Sequence, residues 1–412
     1  MSSTRAQRAD ARRTQILSAA AQLFRRNGFT GVGIDDIGAA SGVSGPAVYR
    51  YFPSKQAILS AVIDGYLDQL EAARLTSGEP PDGPTPRTGE RAVTKGGPLL
   101  RVLVEVGLKD PDSLAVYLRQ LGRLDPSERA RLHSRHVAML GSSGAAPGSG
   151  TVDRARPADE LRLRACAGVL ISVAFTQGVA APVRSLVAGQ MLTALLDTSL
   201  PDSADLPTPP PSTAERARPL RHASRREAIL AAATEHFREH GFKGVSLKDI
   251  GAEVGITASA VSRHFESKDL LLAAMFNRAA EQISAGIAGA LAHSPDAAAA
   301  VREIIGRYSQ LAIECRSLIV INATEMRSLP ETQRDQRRRN HRMYIEELRN
   351  VIAQAWPELG DDETRLRAAS AFGLVNEVIM DDDLSRRPGL VQELTALGIA
   401  AATPPPAGRP RS

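Results

Sequence analysis

Apolar residues in the first sixty positions recur three and four apart, the spacing that lays one side of an α-helix against a core. Ile16, Ala19, Ala20, Leu23 and Phe24 predict an amphipathic helix over 12–27, closed by Asn27-Gly28, where glycine suits a left-handed cap. Residues 1–11 ahead of it read as a loose basic arm. Ile34 and Ile37 open a shorter helix. Gly42-Val43 follows as a tight turn, the glycine for positive φ and the valine as an apolar plug. Ser44 suits an N-cap, and Pro46 is tolerated because it falls in the first turn of the next helix, predicted over 45–52. Pro53-Ser54 then leads into a long helix over 55–75, with Ile58, Leu59, Val62, Ile63, Tyr66, Leu67 and Leu70 on one side. Two short helices about a tight turn, the second led by small residues, predict a helix-turn-helix. Small side chains let a backbone press into a DNA groove, and Tyr49, Arg50 and Tyr51 can reach phosphate.

Apolar helices are predicted further on over 99–108, 113–121, 126–140, 158–179 and 182–200, with a Pro/Gly-rich loop over 76–98 and a flexible insert over 141–150. A Pro-rich linker, 201–221, precedes a restart. Residues 225–240 repeat the first amphipathic helix through Ile229, Ala232, Ala233 and Phe237, and Ser246 with Asp249 forms a capping box. Helices over 268–291, 295–313, 317–328, 332–356, 362–380 and 388–400 complete the second half, and 402–412 reads as a disordered tail. Residues 12–59 align with 225–272 without a gap at a constant offset of 213, with about half the positions identical. The expected organisation is a helix-turn-helix head over 12–60, a helical body over 61–200, a second head over 222–273 and a second body over 274–401.

Composition supports this plan. Aromatics make up 4% of the chain while Ala, Leu, Arg and Glu are plentiful, so the expected class is all-α. The two cysteines, Cys166 and Cys315, read as reduced buried thiols, and their spacing fits no zinc pattern. No apolar leader and no run of 18 apolar residues occurs, so a cytoplasmic protein without a membrane span is expected. The net charge is +5, and residues 1–60 alone carry +5 and residues 213–268 carry +3, leaving the remainder negative. Positive charge thus concentrates on the two helix-turn-helix segments, as binding to a polyanion requires.

Two blocks, ILSAAAQLFRRNGFTGVGIDDIGAASGVSGPAVYRYFPSKQAIL and ILAAATEHFREHGFKGVSLKDIGAEVGITASAVSRHFESKDLLL, each resemble the DNA-binding head of the tetracycline-repressor (TetR) family. The resemblance covers about a quarter of the chain; the helices after each head fit the family's effector and dimerisation domain in number and length only. It implies that the third helix of each head enters the major groove of an operator. The residues matching the recognition helix are Ser44, Gly45, Pro46, Ala47 and Tyr49 in the first copy, and Thr257, Ala258, Ser259, Ala260 and Ser262 in the second. Tyr49 and Lys55 match the family's phosphate contacts, and Lys268 does so in the second copy. There Ser262 replaces the tyrosine and His264 stands where the first copy has Tyr51. Tyr49, Tyr51 and His264 are DNA-contact candidates, and because Tyr49 and Tyr51, two residues apart, cannot share a helix face, packing of one of them stays open. Arg50 and Arg263 are open between groove contact and ion pairing.

The resemblance also implies dimeric binding and a small, often hydrophobic effector that releases DNA; no cofactor and no metal is expected. Two assemblies stay open. Either the two heads of one chain act as an internal pseudo-dimer, pairing through 158–179 with 182–200 and 362–380 with 388–400, or two tandem chains pair as a homodimer. A linker of about 20 residues spans at most ~65 Å and raises the effective concentration of the second head. Candidate polar anchors for the effector are Tyr117, Arg119, His133 and His136 in the first half and Asn322, Glu325, Arg327 and His341 in the second. The basic run 337–342 reads as a solvated helix face, with recognition of an acidic effector such as an acyl-CoA as the second reading. No phosphate-cradling loop, metal cluster or nucleophile elbow suggests an enzyme. The competing function is a non-switching architectural DNA-binding protein.

Overall fold

The hydrophobic stripes of the two heads close into the same three-helix core twice. Ile16, Ala20, Phe24, Ile37, Val48, Phe52, Ile58 and Leu59 are buried in the first, and Ile229, Ala233, Phe237, Ile250, Val261, Phe265, Leu271 and Leu272 in the second. Every one of these pairs keeps the 213-residue offset. Phe24 packs on Phe29 with ring centroids 5.5 Å apart, and Phe237 on Phe242 at 5.2 Å. Full burial of each such ring contributes about 2–3 kcal/mol.

The computed structural model describes residues 5–76, 98–139, 157–201, 224–242, 244–325 and 331–405. The predicted loop, insert, linker and most of the tail lie outside the described residues. Every regular element among those described is a helix. The chain divides into two compact units, one over Met1–Thr198 with Pro404–Ser412 and the other over Ser199–Thr403. In the first, α1 (Arg5–Asn27), α2 (Ile34–Ala40) and α3 (Gly45–Val48) form the head. Helix α4 (Lys55–Thr76) runs from it into a body of α5 (Pro98–Lys109), α6 (Pro111–Gln120), α7 (Pro126–Met139), α8 (Pro157–Phe175) and α9 (Ala181–Asp197). In the second, α10 (Arg225–His240), α11 (Leu247–Val254) and α12 (Ala258–His264) form the head. Helix α13 (Lys268–His293) leads into α14 (Ala297–Glu314), α15 (Arg316–Glu325), α16 (Glu331–Ala355), α17 (Asp361–Ile379) and α18 (Leu390–Ala402).

Three local expectations are corrected. The basic arm is not loose over its length, because α1 already begins at Arg5. The stretch RAQRADARRTQ contains good helix formers and no breaker, so nothing stops the helix extending backwards. The third helix of the first head ends at Val48 rather than 52. Beyond it the backbone tightens, with Arg50 N–H on Ala47 O at 3.2 Å and Tyr51 N–H on Val48 O at 2.9 Å. The matching helix of the second head, α12, opens with Ala258-Ser259-Ala260 and runs seven residues. Helix α8 stops at Phe175 instead of 179, and the chain turns through Gly178 at φ +80°.

Arginines fasten helix ends in the bodies. Arg367, fully buried in α17, donates to Ala401 O (3.1 Å) and Thr403 O (2.9 Å) and pairs with Glu363 at 2.7 Å. Arg162 donates to Thr198 O at 2.9 Å. A charged strap ties α7 to α4: Arg131 meets Asp64 at 2.6 Å, and Arg135 meets Asp64, Asp68 and Glu71 at 2.9, 2.5 and 2.8 Å. Glu128, hydrogen-bonded by Arg131 and Ser60, has its carboxyl held down to about 2. Cys166 is buried and its thiol pushed up to about 12, while Cys315 is only half-buried; both are free.

Candidate nucleic-acid interface

Each helix-turn-helix is set by two glycines. Gly42 and Gly255 take φ +70° and +71° at the turn, a region costly for other residues. Gly38 and Gly251 sit where the two helices cross: a Cβ there would stand 2.8 Å from Val43 O and 2.7 Å from Ile256 O. No side chain fits either place, so the second helix is pressed onto the first at a fixed angle. The expected capping box is present, with Ser246 Oγ accepting from Asp249 N–H at 3.3 Å and Asp249 Oδ2 from Ser246 N–H at 2.8 Å. Thr257 caps α12 by accepting from Ala260 N–H at 3.2 Å, whereas the Ser44 side chain makes no cap bond to α3.

Much of the basic character expected to face DNA is used inside the heads. Lys55 Nζ donates to Phe29 O and Val32 O, both at 2.9 Å, and lies 4.3 Å over the Phe29 ring. Lys268 Nζ repeats this with Phe242 O and Val245 O at 2.7 Å and the Phe242 ring at 4.4 Å. Two of three ammonium donors are thus spent on the loop between the first two helices, and desolvation lowers the Lys55 pKa. Both lysines therefore act as staples inside their heads, with one ammonium donor of each left over. Arg12 donates to Ser41 O at 3.3 Å and Arg225 to Val254 O at 3.2 Å. Arg13 covers the Phe52 ring at 4.4 Å and Arg226 the Phe265 ring at 4.8 Å. Sequence reading missed these structural roles; the signal was their identity at the 213 offset, which basic residues serving only net charge do not require.

The outward faces differ. On α3 and the turn after it, Ser44, Pro46, Tyr49 and Arg50 are exposed, with Tyr49 at 55% a rare exposed large ring. Tyr51 and Ala47 are half-buried. Gly45 is buried beneath Asp35, so it packs rather than presents a surface, a correction to its placement among base-facing residues. On α12, Thr257, Ser259, Arg263 and His264 are exposed and Ala258, Ala260 and Ser262 half-buried. Ser262 Oγ donates to Ala258 O at 3.1 Å, and Thr257 Oγ1 lies 2.9 Å from Ser259 Oγ. Arg50 and Arg263 are exposed, and among the described residues neither guanidinium makes a hydrogen bond or ion pair. That leaves their guanidinium groups available to an anion.

Of the candidate effector anchors, Tyr117 is buried and stacked with Tyr66 at 6.2 Å, Arg119 is half-buried and His341 is exposed. The side chains of His133, His136, Asn322 and Glu325, and the whole of Arg327, lie outside the described residues.

The family model described as "Bacterial regulatory proteins, tetR family" matches twice, at residues 16–62 and 229–275. The regulatory protein RaaS of Mycobacterium tuberculosis is 30% identical over 147 residues, covering 32% of this chain and 68% of RaaS. The chain belongs to the TetR family. The transcriptional regulator EthR of M. tuberculosis is 35% identical over 72 residues, 18% of this chain and 33% of EthR. The chain thus spans about a third of the length of that curated relative. A solved TetR-family regulator from Bordetella parapertussis aligns at 21% identity and TM-score 0.38, over 42% of this chain and 93% of that one. This TetR-family chain carries both matches to the family's head on one polypeptide, and no helix among its described residues is long and apolar enough to cross a membrane.

Proposed function

We propose that the chain is a sequence-specific DNA-binding transcriptional regulator, and that its two heads occupy one operator as an internal pseudo-dimer. The observation that carries the reading is the duplicated head: one scaffold of glycines, core residues and lysine staples, built twice, with different side chains turned outward. Tyr49 and Arg50 face the duplex in the first head; Thr257, Ser259, Arg263 and His264 do so in the second. A small effector bound in a body shifts the heads and releases the operator, so the regulator represses in its free state. Unlike outward faces call for unlike half-sites. Genome-wide mapping of bound sites, with the solution mass of the chain on a recovered operator, tests this. One chain on an asymmetric site is expected. Binding without sequence preference, with affinity explained by its salt slope, would instead support an architectural protein.

A further inference from the structure

Helix α1 is longer than its head needs. Its buried stripe starts at Ile16, and the family match starts at the same residue. The helix nevertheless begins at Arg5, whereas α10 begins at Arg225, the counterpart of Arg12. The stretch Arg5–Ala11 adds about two turns, or about 10 Å of helix. Gln7, Arg8, Ala9, Asp10 and Ala11 are all exposed, so these turns stand in solvent on every side. The two arginines that follow fix where they project. Arg12 Nη1 donates to Ser41 O at 3.3 Å, at the end of α2 where the chain turns into α3. Arg13 Nη1 donates to Tyr51 O at 3.4 Å, just past α3, and its guanidinium covers the Phe52 ring. At its other end α1 is fastened to the body through Arg25 and Asp112. Helix α1 thus runs from the body to the edge of the head where α3 starts and ends, and Arg5–Ala11 carries it past that edge. Ser44, Tyr49 and Arg50 are exposed there. This end of α1 holds four arginines, Arg5, Arg8, Arg12 and Arg13, against Asp10 alone. Arg8 lies one turn before Arg12 on the same face. Its guanidinium makes no hydrogen bond or ion pair among the described residues. An arginine on a helix that nothing packs against has charge and reach but no held orientation. That suits a phosphate, which asks for charge, and not a base edge, which asks for a fixed bidentate geometry.

We infer that the projecting turns of α1 give the first head a second contact with duplex DNA, in which Arg8 binds a backbone phosphate beyond the half-site that α3 faces. The contact is continuous with the outward face of the head, and its charge is complementary to the duplex. It is blind to sequence, so it adds affinity and holds the register of the head without selecting bases. It rests on the proposed regulator only for the existence of a half-site; the phosphate contact itself needs no more than a duplex.

The test is fluorescence-anisotropy titration of the full chain on duplexes that it selects from a random library, at KCl concentrations from about 50 to about 200 mM. Arg8→Gln is expected to weaken binding about three- to tenfold and to make the salt slope shallower by about one, equally on every selected sequence. Arg8→Lys should keep the slope. Arg101→Gln, at an exposed arginine of α5 in the body, should match the parent in both measures. Neutral methylphosphonates placed outside one half-site should reproduce the loss in the parent and add nothing to Arg8→Gln; outside the other half they should act equally on both chains. An Arg8→Gln chain with the affinity and slope of the parent overturns the contact. So does a loss that differs between A·T-rich and G·C-rich flanks, which would make Arg8 a reader of the groove. Binding without sequence preference that keeps its Arg8-dependent slope upholds the contact and defeats the regulator. Sequence-specific binding indifferent to Arg8 defeats the contact alone.

Discussion

The two heads share every inward-facing device and few outward ones. In both, a lysine staples the fourth helix to two carbonyls, an arginine closes the second helix, another covers a core phenylalanine, and a glycine admits the crossing. Outward, the first head has a short α3 with an exposed tyrosine, and the second a seven-residue α12 carrying small hydroxyls and a histidine. Packing tolerates little change at the first set of positions, while nothing within the head constrains the second. The heads also meet their bodies differently. Arg25 pairs with Asp112 and lies 4.1 Å over Phe175, and Phe29 N–H donates to Gln120 at 3.2 Å, a polar clasp. In the second unit Leu318 and Ile321 join the head core directly. The clasp weakens with salt and the apolar seat does not.

Substitutions that break the shared scaffold should act alike in either copy. The largest effect is expected for Phe24→Ala and Phe237→Ala, each costing about 3–5 kcal/mol in its own head, measured by denaturant unfolding. Next, Lys55→Met and Lys268→Met should each cost about 1–3 kcal/mol and should match each other, because each strands the same two carbonyls. A large loss of DNA affinity at unchanged stability would show the lysines acting mainly as phosphate ligands. Substitutions in the outward faces should break the symmetry: Tyr49→Phe should weaken operator binding about three- to tenfold, while Ser262→Ala changes it little, in a mobility-shift titration. The smallest effect concerns the strap. The Glu128 carboxyl is held at about 2, below its unfolded value near 4.5, so its contribution is complete above pH 4.5 and fades as pH falls towards 2. Because the group is a third exposed, Glu128→Gln should remove less than about 1 kcal/mol of that pH dependence in thermal melts.

The repeat made the head cores legible, because apolar spacing and a fixed offset point at the same residues. Helix ends were less so: α1 begins early because no residue stops it, and α3 gives way after Val48 to tighter i→i+3 bonds that apolar spacing does not reveal. The lysine staples were hidden by chemistry, since an ammonium beside a helix start suits a phosphate as well as two backbone carbonyls. Arg337, whose guanidinium lies 4.4 Å over the Phe276 ring, was hidden by its neighbours, as a run of arginines looks uniform while a helix sends each to a different side. Its position one heptad before buried Tyr344, on the stripe that continues through Leu348 and Val351, was the signal that separates it from Arg338 and Arg339.

Footprinting the operator with the parent chain, Gly38→Ala and Gly251→Ala shows whether one scaffold carries two different readers on a single chain. Each variant places a methyl against a backbone oxygen and unseats the third helix of one head only. An asymmetric site with unlike halves is expected, one half lost with each variant. A palindrome of a single motif, or both variants erasing the same half, would contradict it.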